Sequence, residues 1–175
     1  MRRLIPLFIK AAFLLLPTVA VAAGLQSFEP DTFTRIVEKQ KGKPFVLLVW
    51  SLDCEFCQAS LKTLSEEKRK RKDLNIVTVS TDAMDDPQTA SLMQKRLGSL
   101  NLTDNAWAFG SAPPEQLRYA IDPKWHGEMP RSYWFNARGE KVAYSGVVTE
   151  QPGVRLLDTD TNGNNDYADS AVTLS

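Results

Sequence analysis

Cys54 and Cys57 are the only two cysteines in the chain, and they stand three residues apart directly after an apolar run, V-L-L-V-W, that ends at Trp50. The run has the β-branched and aromatic composition of a buried strand, and the cysteines fall where a following helix would begin. A thiol there faces unpaired backbone N–H groups and the positive end of the helix dipole, both of which stabilise the reactive thiolate. The spacing places the second sulfur on the same helical face, close enough to close a small disulfide that another thiol can open. Thiol-disulfide exchange is therefore the leading chemistry. An inert bridge is the plainer alternative, although a three-residue span constrains an unfolded chain little. Zinc would need two further ligands, and the chain holds one histidine, His126.

A second constellation lies near the carboxyl end, in D-T-D-T-N-G-N-N-D-Y-A-D. Asp158, Asp160 and Asn162 take positions 1, 3 and 5 of a calcium loop, Gly163 the sharp turn, Asp166 position 9 and Asp169 the closing position. Alternate oxygen ligands converge on one hard cation while the glycine permits the turn. Gln151, Pro152 and Gly153 weaken any entering helix, and Asp169 stands where a bidentate glutamate is usual, so weak calcium binding or an acidic disordered tail are both open.

The chain as a whole is 43% hydrophobic and 24% charged, an ordinary composition that suffices for one domain with a core to position the cysteines. Residues 1–23 stand apart from it. Arg2, Arg3 and Lys10 form a basic start, residues 11–16 are apolar, Pro17 interrupts them, and Val21, Ala22 and Ala23 are small residues suited to cleavage. This pattern predicts a signal peptide cleaved near Ala23. An uncleaved membrane anchor is the rival, but Lys10 and the prolines keep the apolar run below the roughly 20 residues a spanning helix needs. Loss of three of the 21 basic residues leaves 18 against 21 acidic, a mature net charge of −3, which gives no footing for nucleic acid. Export would place the cysteines where disulfides persist, in the periplasm or its equivalent. The predicted organisation is thus signal peptide 1–23, folded domain 24–150 and acidic tail 151–175.

Within the domain the spacing predicts a helix over 31–41, capped by Asp31 and stopped at Gly42, and a strand over 45–51. A helix follows from the cysteines to about Lys72, with Phe56, Leu61 and Leu64 facing inward. Its end, K-R-K-R-K, is read as cations complementing the helix C-terminus, with Glu66 and Glu67 within one turn, in preference to a polyanion site. A strand over 75–80 and a helix over 87–100 come next, the helix burying Leu92, Met93, Leu97 and Leu100. Then follow an edge strand over 105–109, a short helix opened by Pro113 and Pro114, and a hairpin of 132–135 with 141–148. Alternating strands and helices imply a sheet covered on both faces.

With these elements in place, the chain resembles the thioredoxin-fold, exported thiol-disulfide oxidoreductases of the TlpA/ResA-like group. Trp50 stands four residues before Cys54, as in the family's W-x-x-x-C-x-x-C. The downstream P-R-S-Y-W-F-N-A-R-G-E-K, from Pro130 to Lys141, is similar to the family's P-T-x-F-x-I-D-x-x-G-K. The resemblance covers roughly residues 28–148. It implies an α/β fold, a thioredoxin-like three-layer α/β/α sandwich with a mixed central sheet. It also implies a cis Met129-Pro130 bond against the disulfide, catalytic roles for Cys54, Cys57 and Pro130, and substrate contacts from Trp50 and Met129. No cofactor beyond the redox-active disulfide is then required. The implied partners are a client protein with a disulfide or thiol pair and a membrane electron donor, acting on a monomer.

Departures from the family pattern carry their own implications. Asp53 replaces the tryptophan usual before the first cysteine, and Phe56 replaces a frequent proline. Leu48 stands where thioredoxin has a buried acid, and no simple substitute is visible: Glu128 or Glu55 would have to serve through space, and Glu55 reads better as a solvated first-turn carboxylate satisfying the helix dipole. Asp53 and Glu55 flank Cys54, and their charge disfavours its thiolate, which predicts a comparatively reducing couple. A copper site built from His126, Met129, Cys54 and Cys57 is a less favoured alternative, because copper-handling relatives space their cysteines differently. A non-catalytic binding module with a static disulfide is the other. Trp125, Tyr133 and Trp134 are read as packing residues and Asn101-Leu102-Thr103 as a chance sequon.

Overall fold

The computed structural model describes residues 24–149. Six strands and four helices follow in the order β1 (Gln26–Phe28), α1 (Thr32–Lys39), β2 (Phe45–Trp50), α2 (Glu55–Lys70), β3 (Asn75–Ala83), α3 (Pro87–Ser99), β4 (Ala106–Phe109), α4 (Pro114–Ile121), β5 (Arg131–Phe135) and β6 (Lys141–Ser145). They form one mixed sheet in the order β1-β4-β3-β2-β5-β6. β1, β4, β3 and β2 run parallel to their neighbours, while β5 and β6 join antiparallel. Parallel neighbours need a crossover, and α2 and α3 supply it.

Two apolar layers enclose the sheet. Alternate residues of β2 divide between them, as a pleated strand requires. Val46, Leu48 and Trp50 pack with Leu61 and Leu64 of α2 and Met93 and Leu97 of α3. Phe45, Leu47 and Val49 pack with Ile36 of α1 and Leu117 and Ile121 of α4. The expected three-layer α/β/α sandwich is the one found. Trp125, Tyr133 and Trp134 are buried packing residues.

Four local expectations are corrected. β4 is no edge strand, because the three residues of β1 pair along it; so short a strand leaves no periodicity to read. Phe56 points outward, 64% exposed, because Cys57, Ser60, Leu61 and Leu64 form the inward stripe of α2 and Phe56 sits off it. Leu92 is 51% exposed for the same reason beside Met93 and Leu97. Asp31 does not cap α1 through its side chain but pairs with Arg35 at 3.2 Å, and the Thr32 hydroxyl instead accepts the Glu29 N–H at 2.9 Å.

The basic end of α2 is tied into the fold, with Lys70 on Glu67 at 2.8 Å and Lys68 on Asp104 at 3.0 Å. The β5–β6 turn is closed by the Asn136 side chain, which accepts the N–H groups of Arg138 and Glu140, with Gly139 at φ 82°. β6 stops at Ser145, short of the expected 148. Val148 turns inward and donates its N–H to the buried Ser60 hydroxyl at 3.0 Å, stitching the chain to α2. No helix among the described residues is long and apolar enough to cross a membrane.

Candidate active site

β2 is buried along its whole length between β3 and β5. Its register pairs Trp50 with Ser80 and Val49 with Arg131, so three segments meet at one end of the sheet: the one after Trp50, the irregular end of β3 after Ser80 and the one before Arg131. The cysteines belong to the first of these. Cys54 caps the N-terminus of α2, and its Sγ accepts the Cys57 N–H at 3.1 Å. The two are joined in a disulfide with Cα atoms 5.2 Å apart. Cys57 is fully buried in the core under α2, whereas Cys54 is half-buried. One sulfur is therefore open to an incoming group and the other is not.

The turn before Cys54 is held from both sides. The Gln58 amide donates to Ser51 O at 3.1 Å and Leu52 O at 3.3 Å, while Leu52 N–H donates to the Asp82 carboxylate at 2.8 Å. The Ser80 hydroxyl donates to the same carboxylate oxygen at 2.7 Å. No local motif marks Asp82, Gln58 or Ser60 as part of this site. The available signal was a Ser-x-Asp at the end of the strand predicted to follow the cysteine helix.

The third segment brings Met129 and Pro130, whose peptide bond is cis. Met129 packs against both core layers, and its sulfur accepts the Thr81 hydroxyl at 3.7 Å. Trp125 Nε1 donates to Glu128 O at 2.9 Å, bracing the loop from inside. Arg131 anchors its far end through Asp122 at 3.3 Å and Glu128 at 3.2 Å.

Trp50 cannot touch a client as expected, because its ring is wholly enclosed in the core with Cys57; its indole N–H has no hydrogen-bond partner there. Met129, half-buried, remains the reachable neighbour. Leu48 is fully buried and apolar, and neither proposed substitute supplies an acid beneath the sulfurs. Glu55 is exposed in the first turn of α2. The Glu128 carboxylate is engaged by Ser145, Arg131 and the His126 N–H; burial opposes its charge, yet these donors hold its pKa below the usual carboxylate value. Arg131, for its part, is held charged: burial works against it, but Tyr133, Asp122 and Glu128 together raise it.

His126 is exposed on the loop, and among the described residues no three His, Cys, Asp or Glu side chains gather as a metal-holding group. The calcium positions Asp158, Asp160, Asn162, Asp166 and Asp169 lie outside the described residues, as does the segment 1–23.

Solved structures share this fold. A DsbF homologue from Corynebacterium diphtheriae matches with TM-score 0.56 at 17% identity, over 70% of this chain and 74% of that one. DsbF of Mycobacterium tuberculosis, seen in mixed oxidised and reduced forms, matches with TM-score 0.53 at 16% identity, over 69% and 83%. The exposed lipoprotein thioredoxin of Streptococcus pneumoniae matches with TM-score 0.51 at 17% identity, over 70% and 88%. The chain has the thioredoxin fold. No family model and no curated protein matches it. In this thioredoxin fold Cys54 caps the helix that follows the central strand and Cys57 lies in its first turn, with the cis-proline loop at the same end of the sheet.

Proposed function

We propose that this chain is an exported thiol-disulfide oxidoreductase that reduces disulfides in client proteins. The observation that carries the reading is the asymmetry of the pair: a partly buried Cys54 at a helix N-terminus, bonded to a Cys57 sealed in the core. In the reduced protein the Cys54 thiolate keeps the Cys57 N–H as a donor and the helix dipole behind it. It attacks one sulfur of a client disulfide; the client S–S bond breaks, a mixed disulfide forms, and the released client thiolate takes up a proton. Cys57, having given up its proton, then attacks Cys54 Sγ. The intramolecular disulfide re-forms and the second client thiolate leaves and is protonated. Two electrons pass from the Cys54–Cys57 dithiol to the client, and a membrane electron donor of matching chemistry restores the dithiol.

The loop of the cis Met129-Pro130 bond lies at the cysteines' end of the sheet; Met129, only partly buried, is its apolar contact for a client, and the buried Pro130 shapes the loop from within. Asp53 and Glu55 beside Cys54 disfavour its thiolate and so favour the disulfide, giving a reducing couple. Residues 1–23 direct export and are removed near Ala23, leaving the domain 24–150 and the tail 151–175 as a monomer.

A Cys57→Ser variant should trap clients through Cys54 as adducts that dithiothreitol releases, and the wild-type couple should titrate near the thioredoxin range of about −270 mV. A potential near −120 mV, roughly that of a strong oxidant, would reverse the direction. A disulfide that resists exchange altogether would end the reading.

A further inference from the structure

The turn Ser51-Leu52-Asp53 is the lever between the rigid central strand and Cys54, and one carboxylate from the neighbouring strand grips it. Asp82 Oδ2 receives both the Leu52 N–H at 2.8 Å and the Ser80 hydroxyl at 2.7 Å, while the Asp82 N–H donates to Ser80 Oγ at 3.2 Å. Ser80 is fully buried and in register with Trp50. The grip is therefore referenced to the sheet itself, across thirty residues of chain. On the other side Gln58, one residue past Cys57 in α2, takes both turn carbonyls. The Cys54 N–H bond to Ser51 O, at 3.4 Å, is long, so the turn's own hydrogen bond constrains it little.

We propose that Asp82 is a positioning residue of the Cys54–Cys57 pair: by fixing the Leu52 amide it holds Cys54 where it meets Cys57, and so favours the disulfide over the dithiol. A disulfide forms with an effective concentration set by how narrowly its two thiols are held, and freeing the turn lowers it. The charge of Asp82 acts in the same direction. It adds to Asp53 and Glu55 on the cysteine segment in disfavouring a thiolate. From the third segment His126 is exposed, Glu128 is committed to Arg131 and Ser145, and Arg131 is committed to Asp122 and Glu128. No fixed cation among these offsets the carboxylates around Cys54.

This proposal rests on the exchange chemistry proposed above, and one titration separates the two. Wild type, Asp82→Ala, Asp82→Asn and Ser80→Ala are equilibrated with glutathione buffers at neutral pH, with thiol trapping as the readout and urea midpoints of the oxidised proteins as the check on folding. Asp82→Ala should lower the equilibrium constant for disulfide formation about tenfold, roughly 30 mV for a two-electron couple. Asp82→Asn, which keeps an oxygen for the Leu52 N–H, should recover at least half of that on a logarithmic scale. Ser80→Ala, which frees the carboxylate from one of its two donors and leaves β3 intact, should lower the constant about threefold; it carries the test if Asp82→Ala does not fold. Constants within twofold of wild type in both Asp82→Ala and Ser80→Ala would overturn the proposal, as would an Asn variant no better than Ala, which would reduce the effect to charge alone. If the wild-type disulfide resists glutathione, the functional reading falls. Asp82 is then judged by the dithiothreitol concentration that half-reduces each protein, with the same order expected.

Discussion

Replacing Asp122 with alanine should cost the oxidised protein about 2–3 kcal/mol, because the pair it forms with Arg131 is nearly enclosed. The two side chains are 12% and 14% exposed, with the guanidinium 3.3 Å from the carboxylate. The other carboxylate oxygen accepts the Lys124 N–H at 3.0 Å, which starts the loop leading to Pro130. Removing one member of a buried pair costs about 3–5 kcal/mol when the remaining charge is stranded. Arg131 is not stranded, since it keeps Glu128 at 3.2 Å, so the loss falls toward the ~1.5–3 kcal/mol of a charged hydrogen bond. Urea denaturation followed by tryptophan fluorescence should show the midpoint lowered by roughly 1–2 M.

The acid limb supplies a second test of the same interaction. Burial favours the neutral acid, but the Lys124 N–H, the Lys141 charge and Arg131 together outweigh it and hold Asp122 below its ordinary 3.8. A depressed folded-state pKa contributes stability that is fully present above the unfolded value and lost as pH falls through the folded one. The gap between wild type and Asp122→Ala should thus stay constant from neutral pH down toward 3.8 and close only below it. A midpoint shift under about 0.3 M, or a gap that persists undiminished in acid, would refute the reasoning.

Ser60→Ala should destabilise the protein by about 1–3 kcal/mol, since it leaves the buried Val148 N–H without its acceptor; hydrogen exchange at that amide should accelerate, and unchanged protection would refute the link. Burial pushes the Tyr133 phenol up to about 12, so the stability its neutral form contributes is complete below 10.0 and lost as pH rises through about 12; ultraviolet titration should show a late tyrosine step, and its absence in the folded protein would contradict this. Phe56→Ser should leave the urea midpoint nearly unchanged because the ring is exposed, while slowing exchange with protein disulfides more than with glutathione; equal rates on both would remove Phe56 from client contact. Calcium should bind weakly through Asp158, Asp160, Asn162, Asp166 and Asp169, and calorimetry with no heat at millimolar calcium would remove that loop.

Much of this molecule is written locally. The run ending at Trp50 is apolar at every position, so it reads as a fully covered strand, and the cysteines at its end declare a helix N-terminus. Alternation of such strands with amphipathic helices implies a sheet covered on both faces, and that is the sheet observed. Asn136 and Gly139 announce the β5–β6 turn through chemistry that acts within four residues. In each case the signal and the structure it produces lie within one turn or one strand.

What depended on distant segments was not legible. β1 is three residues long and exists because β4 offers it an edge, which no pattern in Gln26–Phe28 discloses. The outward turn of Phe56 follows from how α2 seats Cys57, Leu61 and Leu64 against β2, a rotation of one residue that periodicity alone leaves undetermined. Trp50, a client contact by resemblance, is enclosed once the sheet and α2 close over it. Asp82 gained its place beside the disulfide only when β3 paired with β2 and brought its carboxylate to Leu52. The sequence by itself determined which groups could exchange electrons and that a strand and a helix would present them, because backbone propensity and side-chain alternation act between near neighbours. Which sulfur faces outward and which carboxylate holds the turn were decided by the tertiary structure, because burial and hydrogen-bond partners belong to surfaces that meet only when the chain folds.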